Sequence, residues 1–448
     1  MFIDKNPAIK KIITFIDKPL LYVVMFLLIL EGPTVYRNAT AGIIDEHSAI
    51  VFVIKAITII FIALLLLTQI LRYDIDKEML KKWGILCAVY YCVITIEFFA
   101  TFSTGGRLAF IYYFGGLLPA LFTILFLKMS NREGNSAFYA FSDIMLVIAC
   151  ISLVFWFFGS LLRGISTDEY IEADWGGTFQ YPSYLGIYFE RQTYDIFGVN
   201  IIRNQSIFTE APMYNAYLII ALCVEVYMKP WKKLIALKGS TIQTTKNLSI
   251  VRVMILLITV LTTLTTTGIV IGLIIIVSMF FLYPIAAQKV FWIKLAIGII
   301  VAILALMIGI YVIIDKSDSM SFKTRLDDYF ACFKAWKTSP VFGVGFLNTD
   351  AIIQYMSEFR LDNTGLATGI GSIIAQGGLV LISIYLFPIG YLIVQGIRNR
   401  NWNIVLFNIV FVILIFIAII TSQPITFFII SLGYAALMCD KKFAIYKI

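Results

Sequence analysis

Residues 249–288 read SIVRVMILLITVLTTLTTTGIVIGLIIIVSMFFLYPIAAQ, forty positions in which Arg252 is the only charge. As one α-helix rising 1.5 Å per residue the stretch would run to about 60 Å. That is twice the roughly 30 Å of hydrocarbon in a bilayer. A hairpin turning at Thr266-Thr267-Gly268 divides it into two spans of ordinary length. The parity matters, because one span instead of two would invert everything downstream.

The same texture recurs along the chain. Of 448 residues, 60% are hydrophobic and 14% charged, where a soluble domain carries about a quarter charged residues. The pattern predicts an all-α integral membrane protein with twelve transmembrane helices. They lie near 19–36, 48–71, 83–101, 108–128, 141–162, 208–228, 250–266, 268–287, 292–314, 367–397, 403–421 and 425–439. No long polar segment separates them, so residues 1–448 are expected to form one polytopic membrane domain.

Charge sets the expected orientation. With both termini cytoplasmic, inner segments hold 23 of the 35 Lys and Arg, as the positive-inside bias requires. Acidic residues lie mostly outside. The net charge of +8 then reflects topology and attraction to lipid headgroups, not nucleic-acid binding. The N-terminus reads as uncleaved. Ile9, Ile12, Ile13 and Ile16 recur at helical spacing, as in an amphipathic helix on the inner surface. Only Cys332 of the six cysteines falls in an outer loop, which argues against an external disulfide. The single histidine, His47, reads as a solvated loop residue, and that excludes a multi-histidine metal centre and a histidine-based triad. Glu31, Lys55 and Glu97 lie within or at the ends of spans, where ionisable groups are functional candidates. Glu31 and Lys55 would equally serve as a buried structural pair.

Two outer segments exceed ordinary loop length, about 163–207 and 315–366, and long connections tend to be functional. Short amphipathic helices are expected in them. The first is rich in aromatics and acids, among them Trp175, Tyr181, Tyr184, Tyr194 and Asp195. Aromatic faces on sugar rings, with carboxylates accepting hydroxyl protons, make a carbohydrate surface. An interfacial aromatic belt is the alternative reading. Arg191 and Arg203 follow, then Glu210-Ala-Pro212 leads into the sixth span. Pro212 suits a first helical turn, and Glu210 there would be a cap at the positive helix end, a partner of Arg203, or a reactive base. Arg203, just before the membrane, needs an anionic partner, either Glu210 or a ligand phosphate. In the second segment, apolar positions 326, 329, 330, 333 and 336 predict an amphipathic helix over 321–338. It carries Arg325, a phosphate ligand or a headgroup-facing cation, and Trp336. Pro340 ends it, and Gly343 and Gly345 permit a tight backbone excursion.

The order of these features resembles the O-antigen and capsular polysaccharide polymerase (Wzy) family of the polymerase/ligase superfamily. Arg203 through Phe208-Thr-Glu210-Ala-Pro212 is similar to one outer-loop signature. Leu264-Thr-Thr-Thr267-Gly268 resembles a hydroxyl-rich turn. Arg325, Trp336, Pro340 and Phe342-Gly343-Val-Gly345-Phe346 resemble the second-loop signature, and Gly369-Ile-Gly371 with Gln376-Gly377-Gly378 the start of the next helix. The pieces cover roughly residues 200–380, whereas residues 1–160 match only in hydrophobicity. The sister ligases carry an outer-loop histidine that this chain lacks, which favours polymerase over ligase.

The resemblance implies transfer of a glycan from undecaprenyl diphosphate to a hydroxyl of a second lipid-linked repeat unit, on the outer face of the plasma or inner membrane. No metal or cofactor is implied, and a single displacement would invert the anomeric carbon. Arg203 and Arg325, with Arg191, would hold the diphosphate. Glu210 is the first candidate for the base and Asp195 the second, and Tyr181, Tyr184, Tyr194, Trp175 and Trp336 would contact sugar. The implied partners are the lipid-linked oligosaccharide, the bilayer and a chain-length regulator, with no nucleic acid. A transporter is the rival of another class, and internal repeats would favour it. None is evident in the sequence.

Overall fold

The structure, a computed structural model, describes the chain except residues 1–6, 42–46, 74, 76, 103, 105, 175–177, 197, 230–239, 283–302, 304–306, 308–319, 361–364 and 440–448. It is mostly helical. Seven helices are long and apolar enough to cross a membrane: Ile12–Leu30, Val51–Arg72, Lys77–Ala100, Arg107–Ser130, Ser136–Leu161, Ala211–Met228 and Gly369–Arg398. Ile250–Thr262, Thr266–Met279, Trp402–Ile417 and Pro424–Met438 are shorter apolar helices. The span expected at 292–314 lies outside the described residues, apart from Ile303 and Met307. The chain is a multi-pass membrane protein.

Residues 249–288 do turn back. One helix ends at Thr262 and the next begins at Thr266, the two packing side by side. The reversal falls on Thr263-Leu264-Thr265, with Leu264 at φ +49°, a few residues before the expected Thr266-Thr267-Gly268. The N-terminal expectation needs a larger correction. Pro7–Leu30 is one continuous helix, not a surface helix followed by a span from residue 19. The isoleucine spacing simply continues the helical phase of the span, and Ile12, Phe15 and Ile16 remain exposed on its outer side.

Burial sorts the helices into layers. Ala211–Met228 is 94% buried, as a central helix must be. Val51–Arg72 and Lys77–Ala100 are 17% buried each, with Phe52 and Phe99 facing outward, as lipid-facing helices would be. Several buried charges among the described residues are paired, although Glu97, 1% exposed, keeps a buried carboxylate oxygen with no hydrogen-bond partner. Lys128, with no exposed side-chain surface, bonds Asp17 at 3.0 Å, and Arg72 joins Asp17 to Glu133. Arg252 bridges Asp143 and Glu225, and Lys229 lies 2.6 Å from Glu225. Tyr22 donates to Asp143 at 2.7 Å. Such pairing is what a low-dielectric interior demands. Tyr22→Phe should lower thermal stability in lipid by about 1 kcal/mol, the ordinary worth of one intramembrane hydrogen bond.

The expected Glu31–Lys55 pair takes another form. Tyr112 donates to Glu31 at 2.6 Å, while the Lys55 ammonium sits 5.1 Å from the centre of the same ring. The tyrosine links the two charges through its hydroxyl and its face.

The first outer segment corrects both the amphipathic helices expected there and a purely α architecture, because it is built of β-strands. β1 (Ala39–Ala41), β2 (Tyr170–Asp174), β3 (Thr178–Tyr184) and β4 (Tyr188–Phe189) form an antiparallel sheet in that order. β5 (Thr193–Ile196) and β6 (Val199–Ile202) form a separate hairpin. The strand Thr178–Tyr184 is exposed over its first three residues and buried at Tyr181, Ser183 and Tyr184, where it meets β4 and the bundle. The second outer segment matches expectation, as a helix over Met320–Thr338.

Candidate active site

A cavity of about 1320 Å³ opens where the two long connecting segments, within residues 163–207 and 320–366, meet the bundle. At least five separate stretches of chain supply its polar lining. Arg191 and Gln192 lie between β4 and β5, and Arg203 follows β6. Glu210 starts the central helix, the Thr265–Thr267 turn follows, and Arg325 sits on the surface helix. On the membrane side, Val270, Ile271 and Ile274 from one helix and Ile413, Leu414 and Ile417 from another make an apolar flank.

Each arginine is held by a different device. Arg203 is half-buried, its Nε donating to the Thr263 carbonyl at 3.0 Å. Burial disfavours its charge, and the negative charge of Glu210 restores part of the loss. Its neighbour Asn204 fastens the same segment to Thr262, through N–H to O at 3.0 Å and side-chain amide to hydroxyl at 3.0 Å. Arg325 donates from Nη1 to the Ile417 carbonyl at 3.1 Å. That oxygen belongs to the C-terminus of Trp402–Ile417, where a cation complements the helix dipole. Tyr329 fixes the same docking with a 2.7 Å bond to the Phe416 carbonyl. Arg191 stacks on Phe179, its guanidinium carbon 3.4 Å from the ring centre, and donates to the Tyr181 hydroxyl at 3.0 Å.

Glu210 occupies the N-cap of Ala211–Cys223, with Pro212 in the first turn, yet its side chain makes no capping hydrogen bond. Gln192 Oε1 accepts from the Ala211 N–H at 3.2 Å. Glu210 lines the cavity, and its negative charge acts on Arg203.

The backbone of the second segment closes the site. Gly343 (φ +68°) brings residues 340–345 against the helix Gly369–Arg398 at its break, where Gly378 has φ +54°. Val344 N–H donates to the Ala375 carbonyl at 2.8 Å and Gly345 N–H to the Gln376 carbonyl at 2.9 Å. A Cβ at Gly343 would lie 2.4 Å from the Gln376 carbonyl carbon, so no side chain fits there. The two glycine motifs, thirty residues apart in sequence, interlock.

The cavity therefore gathers Arg191, Arg203, Arg325, Glu210 and Tyr194. It does not include the other expected residues. Asp195 is exposed in the β5–β6 turn, where its carboxylate accepts the Gly198 N–H at 2.9 Å. Tyr181 is fully buried beneath Arg191, and Tyr184 packs against Gly159 and bonds Glu190 at 3.2 Å. Trp336 donates to the Pro340 carbonyl at 2.9 Å and packs on Phe333. Trp175 lies outside the described residues. Gln192 and Asn215 line the cavity and were not anticipated, and Thr265 and Gln376 bring the hydroxyl-rich turn and the start of the helix Gly369–Arg398 to it. For Asn215 the signal was there, a lone amide four residues after Ala211 in an apolar span.

No protein-family model matches the sequence, and no curated protein matches it.

Proposed function

We propose that the chain is a membrane glycosyltransferase, a polysaccharide polymerase that transfers a glycan from undecaprenyl diphosphate to a hydroxyl of another lipid-linked repeat unit. One observation carries this reading. Three arginines from the two long connecting segments, the Glu210 carboxylate and an apolar flank line a single cavity. A diphosphate joined to a sugar on one side and a polyprenyl chain on the other has the same three chemistries. The reading places the cavity on the outer face, with twelve spans and both termini cytoplasmic.

In this mechanism the acceptor hydroxyl oxygen bonds to C1 of the donor sugar while the C1–O bond to diphosphate breaks. The bonding electrons leave with the diphosphate, and the hydroxyl proton passes to Glu210. Diphosphate is a good leaving group, so the barrier falls chiefly through fixed positive charge beside it. Arg203, Arg325 and Arg191 supply that charge, each pre-oriented by a protein partner. Attack opposite the leaving group inverts the anomeric carbon.

The test is a polymer ladder on a gel, from purified protein in lipid given its matching lipid-linked repeat unit. A ladder from wild type that is lost in Glu210→Gln, with the variant still folded, supports the assignment. Absence of any ladder with the native substrate would turn the reading to a ligase or a transporter.

A further inference from the structure

The helix Met320–Thr338 has two unlike faces. Its inner face is made of small and paired residues. Ala331, Cys332 and Ala335 pack with Ile352 and Ala375, and Asp327 and Asp328 bond Arg360. Its outer face carries Phe322, Leu326, Tyr329, Phe330 and Phe333, which recur at helical spacing and are 39–57% exposed. A helix facing water sets polar groups on that side, and a continuous apolar stripe marks a surface that meets a partner.

The stripe begins at the rim of the apolar bundle. Along one edge, Tyr329 bonds the Phe416 carbonyl at 2.7 Å and Arg325 the Ile417 carbonyl at 3.1 Å. These carbonyls end the apolar helix Trp402–Ile417, which leaves Ile409 and Phe416 exposed on its own flank, as residues facing lipid would be. Along the opposite edge lie Lys323 and Lys334, with Lys337 one turn further on and its ammonium 4.7 Å from the centre of the Phe333 ring. All three lysines are exposed. Aromatic residues at the edge of the hydrocarbon, with lysines reaching up from them, form the arrangement of a helix lying in a bilayer interface.

We infer that the outer face of Met320–Thr338 is a membrane-docking surface, its aromatic stripe seated in the interfacial layer and Lys323, Lys334 and Lys337 bound to the phosphates of anionic lipid headgroups. Arg325 takes no part in this contact, because it is turned to the other edge and lines the cavity. Met320, Phe322 and Thr324 line the same cavity, so the bilayer holds one wall of the candidate active site in place. The inference goes beyond the polymerase reading and stands without it.

Full-length protein with a photoactivatable benzoylphenylalanine in place of Phe330 is reconstituted in nanodiscs of equal phosphatidylcholine and phosphatidylglycerol, irradiated, and read by mass spectrometry. Leu326 offers a second probe position if the first variant does not fold. Phospholipid adducts should form, and phosphatidylglycerol should exceed phosphatidylcholine among them by about fivefold or more, the worth of one lysine near an anionic surface. Lys323→Gln, Lys334→Gln and Lys337→Gln together should bring that ratio close to one while the adducts themselves persist. Crosslinks to another part of this chain, to a second copy or to no molecule would overturn the docking surface. Lipid adducts without a preference when the lysines are intact, or a preference that the glutamines do not move, would overturn the headgroup contact. The readout is lipid contact alone, so its failure is distinct from the absence of polymer.

Discussion

Arg203→Ala should abolish the polymer ladder, lowering turnover by about 100- to 1000-fold. The figure follows from the roughly 3–4 kcal/mol of barrier that one preorganised donor to a developing anion supplies. Arg203 is placed for this by two bonds that do not consume it. Its Nε is committed to Thr263 in a residue that lines the cavity, and Asn204 anchors the strand end behind it. Arg203→Lys keeps the charge but loses the fork geometry, and should recover only a small part of the rate. Arg325 is the informative contrast. It also docks the surface helix through the Ile417 carbonyl, so Arg325→Ala should lose activity and loosen that helix, whereas Arg325→Lys should restore docking more than turnover. Initial rates with the lipid-linked repeat unit, alongside thermal unfolding of each variant, separate the two effects. Full activity in Arg203→Ala would refute the diphosphate assignment.

Arg360→Leu should destabilise the second outer segment by about 3–5 kcal/mol, the cost of stripping the partner from a buried ion pair. Arg360 lies 2.5 Å from Asp328 and 3.5 Å from Asp327, with side-chain exposures of 2%, 0% and 8%. It also donates to the Gly365 carbonyl at 2.8 Å, and Asp328 accepts the Ala367 N–H at 2.7 Å. The cluster thus ties the helix that carries Arg325 to residues 365–367, which line the cavity. Burial pushes the Asp328 carboxyl above its ordinary range, while Arg360 and the Ala367 N–H pull it back. Removing Arg360 raises it further. A carboxyl whose folded pKa exceeds its unfolded value costs stability at neutral pH and is relieved by protonation. The deficit should therefore shrink as pH falls through that raised range, and Asp328→Asn should repair part of it at neutral pH. Amide hydrogen exchange across residues 344–360 reads the effect, and unchanged protection there would refute it.

Much of the fold was legible because bilayer physics acts on composition over windows of about twenty residues. The hairpin in 249–288 followed from length alone, and its two helices are present. So did the surface helix over 320–338, from its apolar spacing, and the membrane character, from the scarcity of charge. The sequence also pointed to Arg203, Arg325 and Glu210, because charged residues beside long apolar spans are costly unless they have partners or work to do.

Other features depended on residues far apart in the chain. The first outer segment folds as strands partly because Ala39–Ala41, more than 120 residues earlier, adds an edge to the sheet. Nothing local in 163–207 announces that partner. Which aromatics face the cavity was equally hidden, since strand register put Tyr181 beneath Arg191 and left Tyr194 at the cavity wall. Asp195 and Glu210 looked alike as carboxylates near an arginine, but the first is exposed and takes a turn hydrogen bond while the second lines the cavity beside Arg203. Composition and periodicity determined that this chain is a membrane-embedded helical protein with charged residues gathered beside two long connecting segments. Only the tertiary structure decided that at least five separate stretches converge on one cavity, because convergence is fixed by long-range packing and hydrogen bonding, which leave no period in the sequence.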